Sequence, residues 1–350
     1  GPASAEGRTC PMEQALPVMV EEAFKTLNRP KTVIKPNLKF APDWTGSQLL
    51  KELKDWAPAL GVDPDRIVRA AREAAETQAL FLQECYGIGE KAISWAEEHG
   101  NPCVLICGPL HVIHDKGVNS GIPDIFIQEG VVPLPMDCYP VTDDTQDLSM
   151  AYWNHANKTL RTTLASLSRR NVYPALLCSF GCGPISFIEP VFKAFTENMP
   201  NATFESDGHG GQAGYRTRIQ AFLHTVKDHL RDNRGVDANK PDPAYPSYLE
   251  KSYPYKQKLS KDKRYVMFAF TNWLPRLTAA SQRAFGYDVV ACESNHDSYR
   301  RGKADCSGKE CIPYQVFWGA FKSFIEDHPS DKPTALYQIG GGSACRDGMF

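Results

Sequence analysis

Short, solidly apolar runs alternate with longer stretches in which apolar residues recur every three or four positions. The first kind predicts buried strand and the second amphipathic helix. Residues 17–27 predict a short helix, 32–36 a strand and 47–60 a second helix. Asp63 followed by Pro64 is an N-cap with proline at the first helical position. It opens a helical region that runs to about residue 99 and closes at Gly100, with Gly87 and Gly89 expected to bend or split it. Residues 102–107 predict a buried strand that breaks at Gly108-Pro109, and a loop follows over 110–123. Helix then strand is expected over 124–134, a polar-rich helix over 149–168 and a strand over 172–177. That strand runs into Ser179-Phe180-Gly181-Cys182-Gly183-Pro184, where a helix begins at about Ile185. A strand over 202–205 and a helix over 219–230 end the first set of elements.

Residues 237–263 are rich in Pro, Tyr and Lys and show no period, so they read as a connection. Strand, helix and strand return at 265–270, 277–285 and 288–292, then a helix at 314–326 and a strand at 335–339. Repeated strand–helix–strand order predicts parallel sheets. The expected fold is therefore α/β, with two related lobes of short parallel sheets flanked by helices. The expected boundaries are 1–235 for the first lobe, 236–263 for the connection and 264–350 for the second. The second lobe stops just past a strand, and Gly1-Pro2 has the form of a protease-cleavage remnant. Further native residues are expected at both ends.

Charge adds exclusions. The net charge is −2 and the pI about 6.5, so no basic field gathers nucleic acid. No apolar run approaches the ~20 residues of a membrane span. No secretion signal opens the sequence, which points to the cytoplasm. Two glycosylation sequons, at Asn157 and Asn201, read as chance in that setting. The chain carries 11 cysteines, which inside a cell points to metal, redox or catalytic chemistry.

Cys10, Cys182 and Cys311 each precede an expected helix with proline one or two residues on, and Cys345 precedes Arg346 in glycine-rich sequence. Thiolates there have lowered pKa and accept backbone donors, which suits iron–sulfur ligation. Cys103, Cys107 and Cys292 fall within expected strands and read as core, as do Cys85 and Cys138. Cys178–Cys182 and Cys306–Cys311 are loose pairs that leave zinc as the competing metal. His111, His114 and His209 sit on loops at strand ends, where they can serve as acid, base or polar anchor. Arg216 and Arg218 suit an anion or an ordinary salt bridge. No Walker or complete dinucleotide-binding sequence is present, so ATP binding by this chain is not supported.

Taken together, these motifs resemble the 2-hydroxyacyl-CoA dehydratase superfamily, in the branch fused or paired with an Hsp70/actin-type ATPase, the CoA-enzyme activase. The residues that carry the resemblance are Cys10-Pro11, Gly108-Pro109-Leu110-His111 with Asn119 to Pro123, the Cys182 turn, Asp207-Gly208-His209, Ser307 to Pro313 and Cys345-Arg346-Asp347-Gly348. The resemblance implies a 4Fe–4S or double-cubane 8Fe cluster, with Cys10, Cys182, Cys311 and Cys345 as ligand candidates. It also implies an ATP-dependent activase as electron donor and a small-molecule substrate, with neither nucleic acid nor membrane as partner; a homodimer is possible. His111 and His209 are the candidate catalytic residues. Relatives tend to have threonine at Cys178 and Cys306, which makes both candidate extra ligands. An arginine is usual at Gly108 and an acid at Gly208, and the relatives' further cysteines before Cys10 and after Cys345 lie outside this chain.

The expected function is activase-driven, low-potential reduction of a small substrate, with 2-hydroxyacyl-CoA dehydratase chemistry as its narrower version. The alternatives are a non-enzymatic cluster carrier or scaffold for metalloenzyme maturation, and a zinc-stabilised binding module.

Overall fold

The computed structural model describes residues 9–28, 33–38, 46–141, 148, 151, 153–207, 211–232, 258–268, 273–306 and 310–337. The chain divides into two compact units, residues 1–250 and 251–350. Each is an α/β unit built on a parallel sheet.

In the first unit α1 (Pro11–Thr26) and α2 (Ser47–Trp56) precede α3 (Pro64–Glu98). Asp63 caps α3, accepting from the Asp65 and Arg66 amides at 3.1 and 2.9 Å. The helix is unbroken at Gly87 and Gly89. Gly89 serves a close approach instead, because a Cβ there would stand 1.9 Å from the Cys138 carbonyl oxygen. Residues 33–38 carry no regular structure, so the described part of the strand expected over 32–36 does not form.

The sheet follows as β1 (Cys103–Cys107), α4 (Leu110–His114), α5 (Ile122–Gln128), β2 (Val132–Pro135), α6 (Asn154–Ser166), β3 (Val172–Ser179), α7 (Gly183–Phe195), β4 (Ala202–Ser206) and α8 (Gln212–Arg231). The strand order is β2-β1-β3-β4, all parallel. Proline placement explains that order. Pro133 and Pro135 lie two apart on β2, an edge strand, so their missing N–H groups share one side of it. Pro174 lies within β3, yet β4 pairs with β3 only from Ala175 onward, so one side of β3 has no strand to bond at Pro174. β1 is buried along its whole length, as expected of a strand covered on both faces. Phe126 of α5 packs edge-on to Phe204 and Phe222, with ring centroids 5.8 and 6.3 Å away. Fully burying such a side chain is worth about 1.5–3 kcal/mol.

The polar-rich helix α6 is largely interior: Asn157, Thr159, Arg161, Thr162, Thr163 and Ser166 are buried. Asn157 donates to the Leu148 carbonyl at 2.8 Å, and Asn201 donates to the Thr196 and Met199 carbonyls. Both sequon amides are thus engaged by the fold.

The second unit contains β5 (Arg264–Met267), α9 (Trp273–Ala284), β6 (Asp288–Ala291), α10 (His296–Asp305), α11 (Ile312–Asp327) and β7 (Thr334–Tyr337). Its strand order is β6-β5-β7, again parallel. α10 was not foreseen from the sequence. It starts with a capping box at Asn295 and Ser298, and it crosses α11 at Gly302 and Gly319. A Cβ on either glycine would stand under 2 Å from backbone of the other helix.

Candidate metal centre

β1 leads to β2 on one side, and the chain then crosses back to β3 on the other. The carboxyl ends of β1 and β3 therefore flank a topological switch point, the usual ligand crevice of such sheets. Two of the sequence motifs sit there. After β1, Gly108 adopts φ +145°, and a Cβ would lie 2.0 Å from the Leu177 carbonyl oxygen of β3. No side chain fits at that position, which accounts for glycine where the resemblance leads one to expect arginine.

After β3, the Phe180 amide donates to the Ser206 carbonyl at 2.8 Å. Gly181 turns the chain with φ +71°, and Cys182 becomes the N-cap of α7. Its carbonyl accepts from the Ser186 amide at 2.9 Å. Phe180 beside it is 73% exposed, an apolar ring left at the mouth of the crevice.

The loop over 115–121 is held by its own polar residues. Asp115 accepts from the amides of Gly117 and Val118. Asn119 is 1% exposed, donates to the Ile113 carbonyl and accepts from the Gly121 amide. Ser206 at the end of β4 donates to the Val118 carbonyl, so its oxygen accepts from Ser120 at 2.8 Å. Asp115 and Asn119 therefore shape the edge of the crevice. Arg216 pairs with Glu129 at 2.8 Å, and Arg218 bonds the Thr203 carbonyl and covers the Phe204 ring. Both arginines serve the fold here.

His111 is exposed in the short helix α4. Near it lies a residue that no motif announced: His155, in the first turn of α6, half-buried and with its Nε2 enclosed without a hydrogen-bond partner among the described residues. Burial pushes its pKa down, the Glu13 carboxylate partly opposes this, and His111 adds to the lowering. Glu13 lies in the first turn of α1, whose N-cap is Cys10, so the start of α1 is an electrostatic neighbour of His155. His114 faces Asp137, with Nε2 3.1 Å from both carboxylate oxygens. Burial pushes the pKa of Lys158 down against the opposing pull of Asp137, Cys138 and Cys85.

The cysteines fall into two settings. Cys10, Cys182 and Cys311 are each the N-cap of a helix with proline in its first two positions, and each is partly exposed. Their carbonyls accept the first helical hydrogen bond at 3.1, 2.9 and 3.2 Å, from Gln14, Ser186 and Gln315. Cys103, Cys107 and Cys178 are buried within strands, and burial pushes Cys103 and Cys107 up to about 12. Cys178 pairs in register with Glu205 of β4. Cys292 sits just past β6, its amide bonded to the Met267 carbonyl. Cys306 is the C-cap of α10. Burial pushes its thiol up to about 11, with Glu310, Asp305 and the Cys311 thiol adding to the effect. Cys306 and Cys311 are thus electrostatic neighbours. His209 and Cys345 lie outside the described residues.

The donor set fits an iron–sulfur group in kind: soft thiols at helix N-termini, beside amides able to donate to an anionic group. Among the described residues, no three or more His, Cys, Asp or Glu side chains converge as a metal-holding group. No helix among the described residues is long and apolar enough to cross a membrane.

Residues 2–139 match the family of CoA enzyme activase uncharacterised domains. The match spans α1 to the turn after β2 and includes Cys10, Gly108 and His111; Cys182 and the second unit lie beyond it. At this coarse level the chain is similar to proteins associated with CoA enzyme activases. No curated protein and no solved structure matches the chain.

Proposed function

We propose that this chain is the iron–sulfur partner of an ATP-hydrolysing activase and serves low-potential reduction of a small substrate. Dehydration of a 2-hydroxyacyl thioester is the narrower form of this reading. The observation that carries it is Cys182, a partly exposed thiol at a helix N-terminus, one turn past β3 at the switch point. The activase as electron source draws its support from the match over residues 2–139.

The proposed thiol ligands are Cys10 and Cys182 in the first unit and Cys311 and Cys345 in the second, with Cys306 beside Cys311. A bound cluster supplies one-electron transfer at potentials no side chain reaches. The chain's own groups bind and position. Helix-start thiols and amides hold the anionic group. Phe180 offers an apolar contact at the mouth of the crevice. His111, exposed at the crevice, holds or moves a proton at its ring nitrogen, and His209 is assigned the same role.

The test is anoxic purification with iron, sulfide and zinc analysis, followed by reduction with an activase and ATP. The proposal predicts a coloured protein with iron and sulfide in equal amounts, bleached or paramagnetic after ATP-dependent reduction. A colourless protein holding stoichiometric zinc contradicts it. A cluster that reduces no substrate under turnover conditions leaves the chain a cluster carrier.

A further inference from the structure

We propose that a second copy of this chain docks antiparallel on the exposed face of α3, about a two-fold axis at Ile88. One face of this helix is turned inward through Cys85, Gly89, Ile93 and Ala96, all buried. A flank roughly a quarter-turn round the helix from it carries Phe81, Ile88 and Trp95 at seven-residue spacing, 53, 61 and 48% exposed, with Leu80 at 62% beside them. Single exposed apolar residues are ordinary. A row of large ones at heptad spacing supplies one of the two repeating positions at which paired helices meet.

The row is symmetric about Ile88. In an antiparallel pair centred there, Phe81 of each copy lies opposite Trp95 of the other, and Ile88 meets Ile88. Glu84 and Lys91, both exposed, fall four residues before and three after that centre. Across the axis they stand one residue apart along the helix, a rise of about 1.5 Å. Each Glu84 then meets a Lys91, twice per dimer. Within one chain the two are two turns apart, and neither makes an ion pair among the described residues. A parallel, in-register pair would set Glu84 against Glu84 and Lys91 against Lys91, so the charges select the antiparallel arrangement. Gly87 adds a second point: it is a poor helix former in mid-helix, and no atom lies within 4 Å of where its Cβ would be. That bare spot beside the axis gives the facing Ile88 room for close approach.

Light scattering and sedimentation of the whole chain across concentration test this without reference to the iron–sulfur reading. The expected mass is twice 38.9 kDa. Ile88→Asp is expected to give the monomer with an unchanged circular dichroism spectrum. Glu84→Lys and Lys91→Glu are each expected to weaken association on the order of tenfold by placing like charges together. The double variant is expected to restore it to within about threefold of the parent, because the pair is re-formed with its sign reversed. A parent that is monomeric at every concentration overturns the proposal. So do single charge reversals without effect, or a double variant as weak as the singles.

Discussion

The interior of the β1–β3 pair and the turns at its carboxyl edge both hold cysteine, and they treat it oppositely. Within the strands, Cys103 and Cys107 have no exposure to solvent, and burial pushes both up to about 12. Thr163 donates to the Cys107 sulfur, so that thiol is packed as a small hydrophobe with one weak contact. Three residues past the end of β3, Cys182 is partly exposed and stands before the free amides of α7. Cys10 and Cys311 repeat that placement on α1 and α11. What separates a core thiol from a candidate ligand in this chain is the element it ends or occupies. Residue number and spacing to the next cysteine do not separate them: Cys178 and Cys182 are four apart and fall on opposite sides of the divide.

Thiol reactivity breaks this comparison most easily. In the cluster-free chain at neutral pH, Cys10, Cys182 and Cys311 are expected to alkylate rapidly. Cys103 and Cys107, buried and pushed up to about 12, are expected to lag an ordinary exposed thiol by about a thousandfold or more. Cys178, 2% exposed, belongs with the slow class. Mass spectrometry of timed alkylation reads the classes, and equal rates would erase the distinction.

Next in size is Gly108→Ala. The substitution meets φ +145° and the Leu177 carbonyl together, and it is expected to cost about 3 kcal/mol or more. Denaturant unfolding measures it, against Gly181→Ala as a milder control. Gly181 also has positive φ but open space around it, so only the αL penalty of about 1–2 kcal/mol applies.

The smallest effect concerns His155. Its folded pKa is lowered by burial, so the unfolded chain binds the proton more readily. Its contribution is present above the ordinary histidine range near pH 6.5 and is lost as pH falls through that range. Melting temperatures are expected to drop between pH 7.5 and 5, and His155→Phe is expected to flatten that slope. An unchanged slope would show that His155 is not held neutral by the fold.

Much of this architecture is legible in the sequence. Solid apolar runs mark β1 and β3, proline and glycine punctuate their ends, and Asp63-Pro64 marks the start of α3 to the residue. What failed has tertiary causes. Gly89 reads as a helix breaker until the Cys138 carbonyl, far along the chain, is seen against it. α10 is polar from His296 to Asp305 and shows no apolar period; its crossing with α11 at Gly302 and Gly319 is what stabilises it. The turns of the candidate centre could be read directly, because they are made of local glycine and proline chemistry. His155 could not, since its position depends on α6 lying inside the unit with its polar residues buried. Heptad spacing on α3 was visible in principle, but it lies among the residues that pack α3 inward, and only exposure separates the two faces.

The most direct measurement is iron and sulfide content after anoxic purification of Cys182→Ser beside Cys103→Ala. The account predicts that Cys182→Ser loses most of its iron and its visible absorbance while Cys103→Ala keeps both. Equal iron in the two variants would contradict it.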